Sequence, residues 1–187
     1  MKRLILFLML VAFVLPSWSQ QADTMQYANY GGKMAYGVAI GGGGLVGVPL
    51  RVAFNEQLGA EFGAYLRPAV VAMPDATVML GLMFTGGTNM NIKNSFNAAK
   101  GKVRRDGIFI RGGAALSKTN DAMISVGWVR DHFKLNDHKK SFTIELGGGA
   151  MYSHYTYSDS GPGWSETVTY QGFTPMLHWK FSWMTFK

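Results

Sequence analysis

Along residues 33–187, large apolar side chains alternate with small or polar ones in about eight stretches, each closed by turn residues. The run from Phe173 to Trp183 is the clearest: its odd positions are all apolar, while its even positions include His178, Lys180 and Ser182. A period of two is that of a β-strand, whose side chains point alternately to opposite faces. The pattern predicts strands over 33–42, 45–54, 58–71, 77–86, 107–116, 122–133, 141–155 and 166–185.

Sorting each strand by parity separates two faces of different chemistry. One face carries Tyr36, Val38, Val48, Leu50, Phe62, Leu66, Leu82, Phe84, Ile108, Ile110, Ile124, Val126, Trp128, Ile144, Leu146, Leu177 and Trp179. The other carries Arg51, Glu61, Arg67, Arg111, Ser125, Asp131, Thr143, Glu145, His178, Lys180 and Ser182, with many glycines between them. A water-soluble barrel turns its apolar face inward, and a membrane barrel turns it outward. Glycine beside long charged side chains suits a narrow lumen, because a barrel of about eight strands is just wide enough to be filled by side chains.

The expected fold is therefore all-β: an antiparallel up-and-down transmembrane β-barrel of eight strands over residues 33–187. Inside it, Arg51, Arg67, Arg111 and Lys180 are expected to neutralise Glu61, Asp131 and Glu145, with His178 bonded into the same network. Unpaired buried charge costs several kcal/mol per ion, so pairing is required. Such a plug disfavours an open pore, for which porins use about 16–18 strands. Tyr36, Trp128, Tyr152, Tyr155, Trp179, Phe181 and Trp183 are expected at the membrane interfaces, where amphipathic rings collect. The competing architecture is a soluble lipocalin-like barrel that binds an apolar ligand inside. Its charged face would need fewer glycines and more charges than this chain offers.

The start of the chain adds a destination. Met1-Lys2-Arg3 is a basic head, Leu4–Leu15 is an apolar run, and Ser17 and Ser19 are small residues before a cleavage point after Ser19. This is the layout of a secretory signal peptide. The run is shorter than the roughly 20 residues of a spanning helix. Residues 20–32 are expected to form a short periplasmic segment before the barrel. The sequence has no cysteine, which excludes a disulfide framework and a lipid-anchored cysteine. The formal net charge is +7, part of it in the head. An exported chain of this kind is not expected to meet nucleic acid.

Signal, alternating segments and the aromatic final strand Leu177-His-Trp-Lys-Phe-Ser-Trp-Met-Thr-Phe-Lys187 together resemble a small outer-membrane β-barrel of Gram-negative bacteria. The stretch Val48–Pro68 is similar to the uncharacterised outer membrane beta-barrel proteins of Bacteroidetes. The resemblance implies integral residence in the outer membrane, a monomer surrounded by lipid and lipopolysaccharide, and recognition of the final strand by the barrel-assembly machinery. Members usually end on an aromatic residue, whereas here Phe186 is penultimate and Lys187 last.

The residues point to no reaction. Some small barrels modify lipid A with a Ser or Asp acting with a His near the rim. Asp131-His132 and Ser153-His154 invite that comparison, but chain neighbours in a strand face opposite sides. Four scattered histidines without cysteine make no metal site, and the glycine runs 41–44 and 147–149 lack the context of a phosphate loop. No catalytic, cofactor-binding or metal residue is expected. The expected role is structural or interactive: envelope integrity, adhesion or recognition through loops. A lipid A-modifying enzyme and narrow-pore transport are the alternatives. Asn55–Gln57 reads as a tight periplasmic turn and Ser158–Trp164 as an outer loop. The longest connection, 87–106, then falls on the periplasmic side, against the rule that long loops face outward. Either the strand count slips near Gly41–Gly44, or strands four and five continue past the membrane. The basic residues of that stretch, Lys100, Lys102, Arg104 and Arg105, are read as solvated rather than as a lipopolysaccharide contact.

Overall fold

Eight antiparallel strands, β1 (Met34–Gly41), β2 (Val46–Ala53), β3 (Leu58–Val71), β4 (Thr77–Asn97), β5 (Lys102–Leu116), β6 (Asn120–Lys134), β7 (Asp137–Gly161) and β8 (Trp164–Phe186), each pair with the next. The ring closes when β8 pairs with β1, from Ala35 opposite Phe186 to Gly41 opposite Lys180. The computed structural model describes residues 32–71, 77–97, 100–116, 120–134 and 137–187. The export signal expected over 1–19 and nearly all of the segment 20–32 lie outside the described residues.

The pairing is staggered. From Ile40 the register runs through Val46 and Leu66 to Leu82 on β4. In the other direction it runs through Phe181, Ile144, Arg130 and Asp106 to Lys93 on the same strand. The two paths miss each other along β4, so the strands must tilt against the barrel axis, typically by roughly 35–45°. Met34 and Phe186 lie at one end, called here the terminal end. The β1–β2, β3–β4, β5–β6 and β7–β8 connections lie at the far end.

Two glycine features shape the wall. Gly41, Gly42 and Gly43 all take positive φ (89°, 74° and 94°), which lets β1 reverse into β2 within a few residues. Gly127 and Gly147 face each other across β6 and β7, and a Cβ on Gly127 would lie 2.4 Å from the Gly147 Cα. The backbones can approach this closely only without side chains, which allows the tight curvature of a narrow barrel. At the terminal end, Asn55 Oδ1 accepts from the backbone N–H groups of Gln57 (2.8 Å) and Leu58 (2.7 Å), which makes the expected tight turn.

The connection expected over 87–106 is a hairpin instead. β4 continues to Asn97 and β5 starts at Lys102, with a register shift between Asn91 and Lys93. Strand count is preserved at Gly41–Gly44, and strands four and five run on through the expected connection. The expected loop over Ser158–Trp164 is also mostly strand, since β7 reaches Gly161 and β8 begins at Trp164. In both places polar residues dominate, and the backbone ladder persists with few apolar side chains.

Candidate functional site

Alternation carries through to burial. Tyr36, Val38, Val48, Phe62, Leu66, Phe84, Ile110, Ile124, Val126 and Leu146 are exposed on the outer wall, while Arg51, Glu61, Arg111, Asp131, Glu145, His178 and Lys180 are buried inside. A soluble monomer seldom exposes a contiguous apolar patch above a few hundred Å². Here such residues encircle the barrel.

The lumen contains one connected ion-pair network. Arg51 on β2 donates through Nη2 to Glu61 Oε2 on β3 (2.9 Å) and through Nη1 to Asp131 Oδ1 on β6 (2.8 Å). Arg111 on β5 donates to Glu145 Oε1 on β7 (2.6 Å). Lys180 on β8 donates to the same Glu145 oxygen (2.6 Å) and also bonds Glu61. Three cations thus face three carboxylates, contributed by six different strands. Thr143 donates to Asp131, and Arg111 also bonds Asn89 and the Thr88 carbonyl, so the remaining polar valences are largely met by neutral groups.

His178 enters this network from the far-end side. Its Nε2 lies 3.2 Å from Glu145 Oε2 and its Nδ1 lies 3.0 Å from Ser125 Oγ. In a neutral ring Nε2–H donates to the Glu145 carboxylate, leaving Nδ1 to accept from the Ser125 hydroxyl. Ser, His and Glu in series invite comparison with a hydrolase triad, in which the base meets the nucleophile through Nε2 and the acid through Nδ1. Here the ring is reversed, Glu145 is bound by Arg111 and Lys180, and Ser125 is buried.

Of the residues expected in the network, Arg67 stands apart. It pairs with Asp121 (2.8 Å) nearer the far end and touches Met151. Sequence reasoning missed Asp121 because it lies one residue before the strand expected over 122–133, whereas β6 begins at Asn120. His132 is on the outer wall, stacked against Phe142 (centroids 6.3 Å), while its neighbour Asp131 faces the network. Ser153-His154 sits opposite Asp121 and Asn120 on β6.

The remaining lumen space is filled differently at each end. Toward the terminal end, Ala35, Ala53, Val103, Phe133, Met184 and Phe186 form an apolar cluster, with Arg105 over the Phe133 ring (5.4 Å). A cavity of about 30 Å³ remains between this cluster and Arg51. A void of that size has room for ordered water. Arg105 is therefore buried, Arg104 pairs with Asp106 (3.0 Å), and Lys100 and Lys102 are exposed. Beyond the network, Ala39, Tyr65, Met83, Ala115 and Met123 form a second cluster. Tyr65 lies over Gly47 and Gly63, where added Cβ atoms would meet its ring at 2.2 and 2.4 Å.

Among the expected interface aromatics, Tyr36, Trp179 and Trp183 are exposed, and Trp128, Tyr152 and Phe181 are half-buried on the same wall. The side chain of Tyr155 lies outside the described residues. Trp179, Phe181, Phe142 and Trp183 touch in sequence, with centroids 6.0, 6.3 and 5.3 Å apart. Arg130 stacks on Trp128 at 4.3 Å. Comparison with protein-family models, curated proteins and solved structures finds no match to this chain.

Proposed function

We propose that this chain is an integral β-barrel of a bacterial outer membrane, exported by a cleaved signal over residues 1–19, and that it acts as a structural or surface-interaction protein. The observation that carries the reading is the inverted polarity: apolar side chains ring the outside and paired charges occupy the inside. In lipid every backbone group must be satisfied within the protein, which a closed barrel achieves. The outer apolar face is then in contact with lipid, and both termini lie on the periplasmic side. The β7–β8 ribbon, from His154 opposite Gln171 to Gly161 opposite Trp164, projects outward as the recognition element. The lumen network makes the barrel a closed plug, and the buried Ser125–His178–Glu145 chain serves it as a hydrogen-bond relay rather than as a catalyst.

The test is heat-modifiability. The purified protein, folded in detergent, is run unboiled and boiled on a cold SDS gel, with circular dichroism alongside. A shifted unboiled band with β-rich circular dichroism is expected. A chain that stays soluble and monomeric without detergent refutes the reading and reverses the face assignment. Planar-bilayer recordings are expected to give no steady conductance; a stable open channel would refute the closed lumen.

A further inference from the structure

The lumen holds one more cation than its carboxylates balance. Within the network Arg51, Arg111 and Lys180 offset Glu61, Asp131 and Glu145. Toward the far end Arg67 offsets Asp121. Arg105 is also buried inside the ring, so among the described residues five inward cations meet four inward carboxylates. This surplus does not depend on how the pairs are drawn, because each of those carboxylates is already counted. The Phe133 ring beside Arg105 presents a polarised face but no net charge. A buried charge without its counter-charge is strongly disfavoured.

The surplus adjoins both a space and an unused donor. Arg51, Asn89, Asn91, Arg105 and Asp131 form the polar wall of the small cavity at the terminal end. Asn89 is only 6% exposed. Its Oδ1 accepts from Arg111 Nη2, and a guanidinium can only donate, so chemistry assigns the two ends of the amide. The Nδ2 group is thereby turned away from Arg111, which is not part of the cavity wall, and it has no hydrogen-bond partner among the described residues. A buried amide donor of this kind calls for an acceptor.

Size and charge restrict that acceptor. A space of about 30 Å³ has room for ordered water or for one ion of similar radius, and none for a phosphate or an organic acid. Water would satisfy Asn89 Nδ2 and leave the surplus charge, whereas one small anion answers both. At the rim of this end Lys33, Lys100, Lys102, Lys139, Lys140 and Lys187 are exposed, with Glu56 as the exposed acidic side chain among the described residues there. A rim of one sign raises the local concentration of the opposite ion.

We propose that this cavity binds one small monovalent anion of the halide class, held by Arg51, Arg105 and the Asn89 Nδ2 group. The site goes beyond the membrane reading and does not require it, since cavity, donor and surplus charge all belong to the ring itself. In an outer membrane it would open toward the periplasm.

The test is a chloride NMR titration of the full mature chain, folded in detergent and checked by its heat-modifiable band. A chain that stays soluble without detergent refutes the membrane reading and is titrated in buffer, so the two readings fail separately. Gluconate, too large for the cavity, keeps the ionic strength constant. A saturable broadening of the chloride line, reversed by bromide, is expected. The unaltered chain is also expected to unfold at a higher urea midpoint in chloride than in gluconate, because a ligand that binds only the folded state stabilises it. Asn89→Asp sets a carboxylate beside the cavity and still accepts from Arg111. It is expected to keep its band, lose the saturable broadening and show one midpoint in both salts. Arg105→Gln is expected to lose the broadening as well. No saturable broadening in the unaltered chain overturns the proposal. Broadening that persists in either folded variant puts the anion on the rim lysines and overturns it too.

Discussion

Glu145 is the most connected carboxylate of the lumen, and Glu145→Gln is the sharpest test of the network. Glu145 meets Arg111 and Lys180 at 2.6 Å each, His178 at 3.2 Å and Arg51 at 3.9 Å. Glutamine keeps the volume but removes one negative charge, so three buried cations face two carboxylates. It also brings an NH₂ group to a site where neighbours donate. Breaking a buried ion pair by removing one partner costs about 3–5 kcal/mol. With a urea dependence of about 2 kcal/mol/M, the unfolding midpoint falls by about 1.5–2.5 M. The assay is urea unfolding of the vesicle-inserted protein, followed by tryptophan fluorescence and by loss of the heat-modifiable band. The companion variant carries Glu145→Gln with Lys180→Met, which removes one charge of each sign. Its loss is expected to fall short of the summed single losses by about 0.5–3 kcal/mol, the coupling of contacting groups. A midpoint shift under about 0.3 M for the single variant, or additive losses in the double, would refute the claim that these charges are desolvated and mutually compensating.

Gly47→Val drives its side chain into the Tyr65 ring, where a Cβ alone already sits at 2.2 Å; a destabilisation of about 1–3 kcal/mol or more is expected in the same urea assay, and an unchanged midpoint would contradict the packing. The absence of cysteine permits single spin labels. Labels at Phe62→Cys and Ile124→Cys, on opposite sides of the barrel, are expected to collide with oxygen and not with a water-soluble nickel chelate in vesicles. Strong nickel accessibility at both would place the apolar wall in water. Replacing Thr156–Thr169 by a short Gly-Asn turn removes the ribbon tip, whose hydroxyls meet as Thr156–Thr169 (3.3 Å) and Ser158–Thr167 (3.0 Å). The shortened chain is expected to keep its gel shift, and failure to fold would show that the ribbon supports the barrel.

Strand number, strand order and the sidedness of β1, β2, β5 and β6 were legible in the sequence because period-two alternation survives wherever one face meets a different environment from the other. Alternation is a weaker guide where polar residues dominate a strand. Asn89, Asn91, Asn94 and Asn97 read as loop, yet they continue β4, because a paired backbone needs no apolar side chains to hold its ladder. Lumen partners were legible only as a set. That Arg51, Glu61 and Lys180 face inward follows from parity; that Arg67 chooses Asp121, or His178 chooses Ser125, depends on the stagger of strands across the barrel. The shortness of the β1–β2 hairpin relative to β3 and β8 was hidden for a related reason. Gly41–Gly44 plainly marks a turn, but its height on the wall emerges only once neighbouring strands are in register.

The seam between β1 and β8 also sets the order of events in assembly. Ala35 must find Phe186, which requires nearly the whole chain to be present before the ring can close. Pairings so distant in sequence form late and slowly. Until they form, Glu61 lacks Lys180 and Arg51 lacks Asp131 across the ring, although Lys180 already stands opposite Glu145 within the β7–β8 hairpin. An open sheet therefore leaves charges on its concave side without their cross-lumen partners and cannot desolvate that side cheaply. Closure brings the last hydrogen-bonded edge and these ion pairs together as a single cooperative event.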